Sequence, residues 1–398
     1  MKVVDVTTFV VGNPPPRKGG RYFVFVKLTT DSGITGLGEV YVATFSPHVL
    51  VSMIEDVAGR HVVGQDPFQI ESMWRRVYGR GFQLRADPTL VGVLSGLEMA
   101  CWDIVGKELD RPVYELLGGK VHERLRTYTY LYPAEGDGDA HHDNAVYTDP
   151  AATAERAAFE VARGFTAVKF DPAGPYHVNG GRQPTLEDLD RSEAIVRAVR
   201  DAVGSRADLL FGTHGQFTAS GALRMARRLE PYDPMWFEEP VPPDNIDEMA
   251  RVARQTTIPI ASGERLTTKY EFQRLLQAGA ASILQLNLGR CGGILEGKKI
   301  AAIAEAHYAQ IAPHLYCGPV VGAANIQLAT CSPNFLILEG IEDWSGFHGE
   351  LLTTPIRWED GYVIPSAAPG LGVELNEAVA LAHPYTGTEL HLEMTETP

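Results

Sequence analysis

The chain has 398 residues, 44% of them hydrophobic, and its 35 lysines and arginines face 50 aspartates and glutamates, for a formal charge of −15. That balance argues against a nucleic-acid partner, whose phosphates demand basic patches, and against docking on an anionic membrane. The length suits one barrel-sized domain with a smaller second one. Four cysteines (Cys101, Cys291, Cys317, Cys331) lack metal-finger spacing and read as buried, reduced thiols of a cytoplasmic protein. Met1-Lys2 leads straight into a strand pattern, so no signal peptide is expected, and no apolar run is read as a membrane span.

The first segment, residues 1–120, reads as an α+β domain. Strands are expected over Val3 to Val11, Tyr22 to Thr29 and Thr35 to Val40, with a Pro/Gly-rich loop from Gly12 to Gly20 and a turn at Asp31-Ser32-Gly33. Helical periodicity covers roughly Pro47 to Val57, Gln69 to Tyr78 and Thr89 to Glu108. Arg126 to Tyr130 is the expected first strand of a second unit, residues 121–365. It runs into a long polar segment, Pro133 to Asp149, that contains His141-His142-Asp143 and has the length of a lid or binding loop, although the paired histidines could equally be solvated surface. Asp149-Pro150 starts a helix. Ala167 to Asp171 is the next strand, with Lys169 and Asp171 on one face because strand side chains alternate. The loop from Pro172 to Pro184 offers Tyr176, His177 and Arg182 as substrate contacts.

From Leu209 onward a pattern repeats. Short apolar runs end in a polar or charged residue at His214, Glu238, Glu264, Asn287, His314 and Glu339, spaced 23 to 27 residues apart, with helix-period segments between them. A strand, a helix and two turns need about that many residues. Successive βα units with a reactive side chain at each strand's C-terminal end describe an α/β fold of the TIM type, a (β/α) barrel whose site gathers at that rim. Residues 366–398, with Val373 to Val379 and Glu389 to Thr397, are expected to fold back on the first domain.

Glu238 and Glu264 come from adjacent strands and converge. Two carboxylates in one place repel unless they share a proton or a cation, and hard oxygen ligands suit Mg²⁺. Lys169 could neutralise an anionic substrate, while His214 and His314 flank the pair in strand order and could take and deliver protons. The set fits removal of the proton α to a carboxylate, whose enediolate a cation and a lysine stabilise. Glu339 is either a hydrogen-bond acceptor behind these groups or a direct substrate contact.

At these residues the chain resembles the enolase superfamily in its mandelate racemase/muconate lactonizing branch, and within it the acid-sugar dehydratases of the galactonate and mannonate type. The resemblance spans nearly the whole chain, through Gly36-Leu37-Gly38-Glu39, Leu97-Glu98-Met99-Ala100-Cys101-Trp102-Asp103, Leu116-Leu117-Gly118-Gly119, Trp236-Phe237-Glu238-Glu239-Pro240, Gly263-Glu264-Arg265, Gly292-Gly293-Ile294, Pro313-His314 and Pro369-Gly370-Leu371-Gly372. It implies that residues 1–120 cap the barrel, with loops Gly12 to Gly20 and Val42 to His48 closing over the site. It further implies that Glu238 and Glu264 ligate Mg²⁺, Lys169 lies beside the substrate carboxylate, His314 is the general base, His214 the acid for a departing hydroxyl, and Glu339 the carboxylate of the last strand. The implied reaction is loss of water from a sugar acid to give a 2-keto-3-deoxy acid, in a small-molecule enzyme that forms homo-oligomers.

Two positions depart from the family pattern. Gly212 stands where a metal-ligating Asp is usual, which leaves Asp171 as the candidate third ligand, since the nitrogen of His214 suits softer metals. Asn287 stands where an Asp normally backs the base histidine, so His314 is expected to be a weaker base or to take a different role. A sugar-acid epimerase or lactone cycloisomerase, and a catalytically silent ligand-binding barrel, are the competing readings.

Overall fold

The computed structural model describes every residue except 83, 135, 137, 139–143, 175, 395, 397 and 398. His141, His142 and Asp143 therefore lie outside the described residues.

Strands β1 (Val3–Gly12), β2 (Tyr22–Thr30) and β3 (Thr35–Glu39) form an antiparallel sheet in chain order. Their sheet packs on the helix Pro88–Glu108, which Asp87 caps by accepting from the Thr89 and Leu90 amides, with Pro88 in the first turn where no amide is needed. This helix is long and apolar enough to cross a membrane by composition, which corrects the expectation that no run reaches that length. Its apolar window is 83% buried inside the protein. Contact with β3 is backbone to backbone: a Cβ on Gly36 would lie 2.0 Å from the Ala100 carbonyl oxygen, and one on Gly38 would lie 1.9 Å from that of Gly96. Only glycine fits at either position.

The barrel strands are β4 (Leu125–Tyr130), β5 (Ala167–Phe170), β6 (Asp208–Gly212), β7 (Trp236–Glu238), β8 (Ile260–Ser262), β9 (Ile283–Leu284), β10 (Gln310–Ile311) and β11 (Leu338–Gly340). From β4 to β10 each pairs in parallel with the next, and β11 pairs with β4. A parallel bridge between Ile311 and Phe335 joins β10 to the residues leading into β11 and closes the ring. Among the described residues the barrel thus has eight staves, of which the last six, β6 to β11, carry the repeat seen in the sequence. A short hairpin of β12 (Trp358–Glu359) and β13 (Tyr362–Val363) pairs antiparallel with the start of β4, at Leu125 and Arg126.

Inside the ring, Tyr128, Ala167, Leu210, Trp236, Ala261, Ile283, Ala312 and Ile337 form one packed cluster, one residue per stave with large beside small. Strand side chains alternate, so the residues two positions further along face the same interior. Those residues include Lys169, Gly212, Glu238, Gln285, His314 and Glu339, and they form the next layer up. The ladders stop earlier than the sequence pattern implies. Glu238 and Glu339 lie inside strands, whereas His214, Glu264, Asn287 and His314 lie beyond them. The backbone turns left-handed at His214 (φ +47°) and takes a positive φ at Gly263 (+137°), conformations no ladder accommodates.

Three fully buried carboxylates tie the N-terminal layer to the rest of the chain. Glu39 accepts from the amides of Gly318 and Val321 at the start of the helix Pro319–Thr330. Glu98 accepts from Ile294 (2.7 Å) and Leu295 (2.9 Å) at the start of the helix Gly293–Ala306, and from the Trp102 indole. Asp103 accepts from Leu37 and Leu371 and pairs with Lys107. Helix starts carry unpaired amides and a partial positive charge, so a carboxylate from another element satisfies both. The C-terminal residues lie between the two layers: Leu375 bridges Leu352 of the barrel, Pro384 bridges Val11 of β1, and Glu374 and Glu377 pair with Lys107 and Lys27. Three of these contacts are with residues 1–120 and one is with the barrel.

Replacing Glu98 with Ala strands the amides of Ile294 and Leu295 and the Trp102 indole, at roughly 1–3 kcal/mol per unpaired donor. We expect a clearly lowered urea midpoint for Glu98→Ala and a smaller loss for Glu98→Gln. Burial also raises Glu39 and Glu98 to about 7, from 4.5 for a free glutamate. Between about pH 4.5 and 7 the folded chain therefore holds protons that the unfolded chain releases, so this contribution to stability falls as pH rises through 7. The drop in unfolding midpoint from pH 6 to pH 8 should be smaller in Glu39→Gln than in the native protein.

Candidate active site

Glu238 sits at the centre of the inward layer. Its Oε1 accepts from Lys169 Nζ (2.8 Å), and its Oε2 accepts from Gln285 Nε2 (2.7 Å) and from the Trp236 indole two residues back on the same strand (3.2 Å). Lys169 Nζ is also 3.5 Å from Glu339 Oε1, and Glu339 Oε2 accepts from the Leu315 amide. Burial works to discharge Lys169, yet Glu238, Glu339 and Glu264 together hold its proton above the usual lysine value. Burial raises Glu339 to about 7, with Lys169 opposing the shift.

Glu264 faces Glu238 from the next stave. Burial disfavours its charge, but His214, Lys169, Arg265 and Arg290 outweigh that and lower it to about 2. Its Oε2 is buried without a hydrogen-bond partner; His314 Nε2 lies 3.3 Å away but off the line of a bond. Among the described residues, His214, Glu238 and Glu264 bring one donor atom each to within 4.8 Å of one another. The adjacent motif residues support this pair from outside. Glu239, at φ +38°, turns its carboxylate to Arg265 Nε (2.8 Å), and the Glu239 carbonyl accepts from Gly215, which pins the turn carrying His214. Thr213 Oγ1 donates to the carbonyls of Glu238 and Glu239.

The two histidines face the cavity with different partners behind them. His214 Nδ1 is 3.5 Å from Asp171 Oδ2, and its Nε2 is 3.8 Å from Glu264 Oε1. Burial opposes charging His214, but Glu264 and Asp171 raise its proton affinity above the ordinary imidazole value. His314 Nδ1 is 2.9 Å from Asn287 Nδ2, while Asn287 Oδ1 accepts from the Gly289 amide (2.8 Å). Burial, with Lys169 next, lowers His314 well below the ordinary value.

Asp171 does not join the converging donors. Its Oδ1 accepts from the Ala173 amide and its Oδ2 faces His214, so the residue expected as third metal ligand instead backs a histidine. At Gly212 a Cβ would lie 3.2 Å from Lys169 Cε and 3.5 Å from His214 Cε1. Glycine leaves that part of the floor to those two side chains.

Above the floor is a cavity of about 70 Å³, walled by Tyr41, Tyr130, Tyr132, Tyr147, Tyr176 and Tyr316, with Lys169, His214, Glu264, His314, Glu339 and Leu392 completing the lining. Burial keeps these phenols protonated far above neutral pH, so they act as neutral donors and acceptors. Of the anticipated loop contacts only Tyr176 reaches the cavity. His177 and Arg182 brace the loop itself, through Asn179 and through Ala173 and Asp188 respectively. The loop from Gly12 to Gly20 is tied to the barrel by an ion pair between Lys18 and Glu342 (2.7 Å), neither of which lines the cavity. From the other expected cap segment the contribution is Tyr41, just ahead of it, over whose ring the Arg290 guanidinium lies at 4.4 Å.

Sequence reasoning missed Gln285 and, Tyr176 apart, the tyrosine wall. The alternation Tyr128-Thr129-Tyr130-Leu131-Tyr132 carried the signal for two of the tyrosines. Tyr147 and Leu392 come from the short helix Ala145–Thr148 and from the C-terminal tail, and no local pattern marks them.

Residues 152–379 match the family described as Enolase C-terminal domain-like, and residues 17–118 match the Mandelate racemase / muconate lactonizing enzyme, N-terminal domain. The chain is 35% identical over 393 residues to the D-galactonate dehydratase of Ralstonia pickettii, covering 96% of this chain and 94% of that protein. It is 35% identical over 362 residues to the D-gluconate dehydratase of Thermoproteus tenax, covering 90% of this chain and 69% of that one. A crystal structure of a candidate mandelate racemase/muconate lactonizing enzyme from Labrenzia alexandrii superposes with a TM-score of 0.96 at 65% identity, covering 100% and 99% of the two chains.

Lys169→Met removes the cation shared by Glu238 and Glu339, and stranding buried carboxylates in this way costs about 3–5 kcal/mol. Denaturant unfolding should show that loss. The double variant Lys169→Met/Glu238→Gln should recover part of it, because it removes the unpaired charge.

Proposed function

Because this chain belongs to the mandelate racemase/muconate lactonizing enzyme family of the enolase superfamily, we propose that it is a hydro-lyase that dehydrates a sugar acid to a 2-keto-3-deoxy acid with the help of Mg²⁺. The carrying observation is the convergence of Glu238, Glu264 and Lys169 on the floor of a tyrosine-walled cavity flanked by two histidines.

The donor set fits a hard divalent cation. Glu264 Oε2 is a buried oxygen with no partner, and Glu238 adds a second carboxylate beside it. We assign the cation to Glu238 and Glu264, because Mg²⁺ keeps several waters or substrate oxygens and an imidazole nitrogen suits it poorly. When bound, it supplies electrostatic stabilisation for the charge that builds on the substrate carboxylate. Lys169, kept charged by Glu238 and Glu339, holds that carboxylate from the other side. His214 and His314 present ring nitrogens to the cavity, where a substrate's α-proton and β-hydroxyl would lie. The tyrosine hydroxyls, neutral and able both to donate and to accept, suit the hydroxyls of a short polyol chain and exclude water around it.

Glu264→Gln should abolish calorimetric Mg²⁺ binding and lower turnover by a factor on the order of 10²–10³. A library of aldonic and aldaric acids, read by a colour reaction for 2-keto-3-deoxy acids and by product NMR in D₂O, tests the reaction itself. A product that keeps every hydroxyl would make the protein an epimerase. No Mg²⁺ binding at millimolar metal, with no acid turned over, would leave a ligand-binding barrel.

A further inference from the structure

We infer that Asn287 fixes His314 in the tautomer whose proton is on Nε2, so that His314 meets the substrate as a neutral hydrogen-bond donor and the proton acceptor is His214. The inference rests on the dehydratase reading for the chemistry that follows, but the tautomers stand on hydrogen-bond geometry alone.

The Gly289 amide points at one end of the Asn287 side chain at 2.8 Å. A backbone N–H can only donate, so that end is the carbonyl oxygen. The other end is therefore the NH₂ group, which lies 2.9 Å from His314 Nδ1. An amide NH₂ can also only donate, so Nδ1 presents its lone pair. A neutral imidazole has one N–H, which must then be on Nε2, the nitrogen 3.3 Å from Glu264 Oε2 on the cavity side. Turning the amide over would set two donors against each other at Gly289, in a region without access to water. A carboxylate at position 287 would impose the opposite tautomer, with the proton on Nδ1 and a lone pair in the cavity.

His214 has the arrangement that His314 lacks. Its Nδ1 lies 3.5 Å from the Asp171 carboxylate, an acceptor, closer than the 3.8 Å between Nε2 and Glu264 Oε1, so we place the proton on Nδ1 and the lone pair on Nε2. In the reaction the α C–H bond breaks, its electron pair enters the enediolate and the proton goes to His214 Nε2. The β C–O bond then breaks with its pair, and the same proton returns to the departing hydroxide as water. His314 changes no proton. It donates a hydrogen bond to an oxygen that gains charge, the role a neutral imidazole fills as an electrophile. One histidine on one face serves both transfers, so the elimination is syn.

The test is ring-¹⁵N NMR of the full chain, histidine-labelled, with and without saturating Mg²⁺, at a pH where both rings are neutral. His314→Gln and His214→Asn assign the two rings among the 12 histidines by loss of signal. We expect a pyridine-type nitrogen at His314 Nδ1 and a pyrrole-type nitrogen at its Nε2, the reverse pattern at His214, and a switch of His314 to the pattern of His214 in Asn287→Asp. A pyrrole-type Nδ1 at His314 in the native protein would overturn the inference, as would an Asn287→Asp spectrum unchanged at His314. If that variant does not fold, the native spectrum decides alone. No substrate is needed, so an acid library that yields no product would refute the dehydratase reading without touching this result.

Discussion

Charge balance at the barrel mouth governs the site. Glu238, Glu264, Glu339 and Asp171 are buried together there, and among the described cavity residues the one permanent cation is Lys169. Moving carboxylates out of water costs several kcal/mol each unless protons, donors or cations compensate. The structure meets that cost unevenly. Glu238 takes three N–H donors, Asp171 takes a backbone amide and a histidine, and Glu339 retains a proton up to about pH 7. Glu264 is the residue left short: it stays ionised and has one oxygen with no partner. A site with this deficit attracts a positive species. The same field explains how an acidic protein could still receive an anionic substrate, since a cation held there would, together with Lys169, reverse the local sign.

That arrangement survives only if the staves and the layer above them are held in register. The family motifs that look unrelated in the sequence are the means. Gly36, Gly38 and Gly96 let β3 lie directly on the long helix. Glu39, Glu98 and Asp103, carried on those two elements, then reach the starts of two barrel helices and the turn before Leu371. Gly293 and Gly370 are small where these carboxylates arrive; a Cβ on either would lie 2.1 Å from a carboxylate oxygen. The cavity wall depends on this joint, because Tyr41 follows β3 closely, with its amide bonded to the Gly289 carbonyl two residues from Asn287. The cap is thus a packed part of the site.

Much of this was legible in the sequence because it follows from periodicity. Alternation along a strand decides which residues face inward, and the recurrence of polar strand ends around one ring decides which of them meet. Lys169, Glu238, His314 and Glu339 share one inward layer by that alternation, whereas Glu264 reaches it through the turn at Gly263 (φ +137°), and Asp149-Pro150 marked a helix start through capping chemistry. Rotamer and orientation were not legible. Asp171 lies on the face that alternation assigns it, yet its carboxylate is turned by the Ala173 amide, a contact set by the following turn. The apolar helix was under-read because composition alone does not separate a core helix from a span. Tyr147 and Leu392 reach the cavity through tertiary packing between distant segments, which leaves no periodic trace.

The departures at positions 212 and 287 are better understood together than singly. Losing a carboxylate at 212 removes one buried negative charge from the floor, and an amide at 287 removes another from behind His314. Both changes ease the same excess, and neither takes a group away from His214, which keeps Asp171 behind it and Glu264 in front. Glu264 lies near both rings, so the negative charge that only one imidazole meets is that of Asp171, behind His214. Proton affinity follows it: raised at His214 and lowered at His314, although both rings are buried in the same pocket and share Lys169 as a neighbour. A barrel that places one carboxylate-backed histidine and one amide-backed histidine across a 70 Å³ cavity has an asymmetric mouth. A substrate held there meets a proton acceptor on one face and a fixed donor on the other.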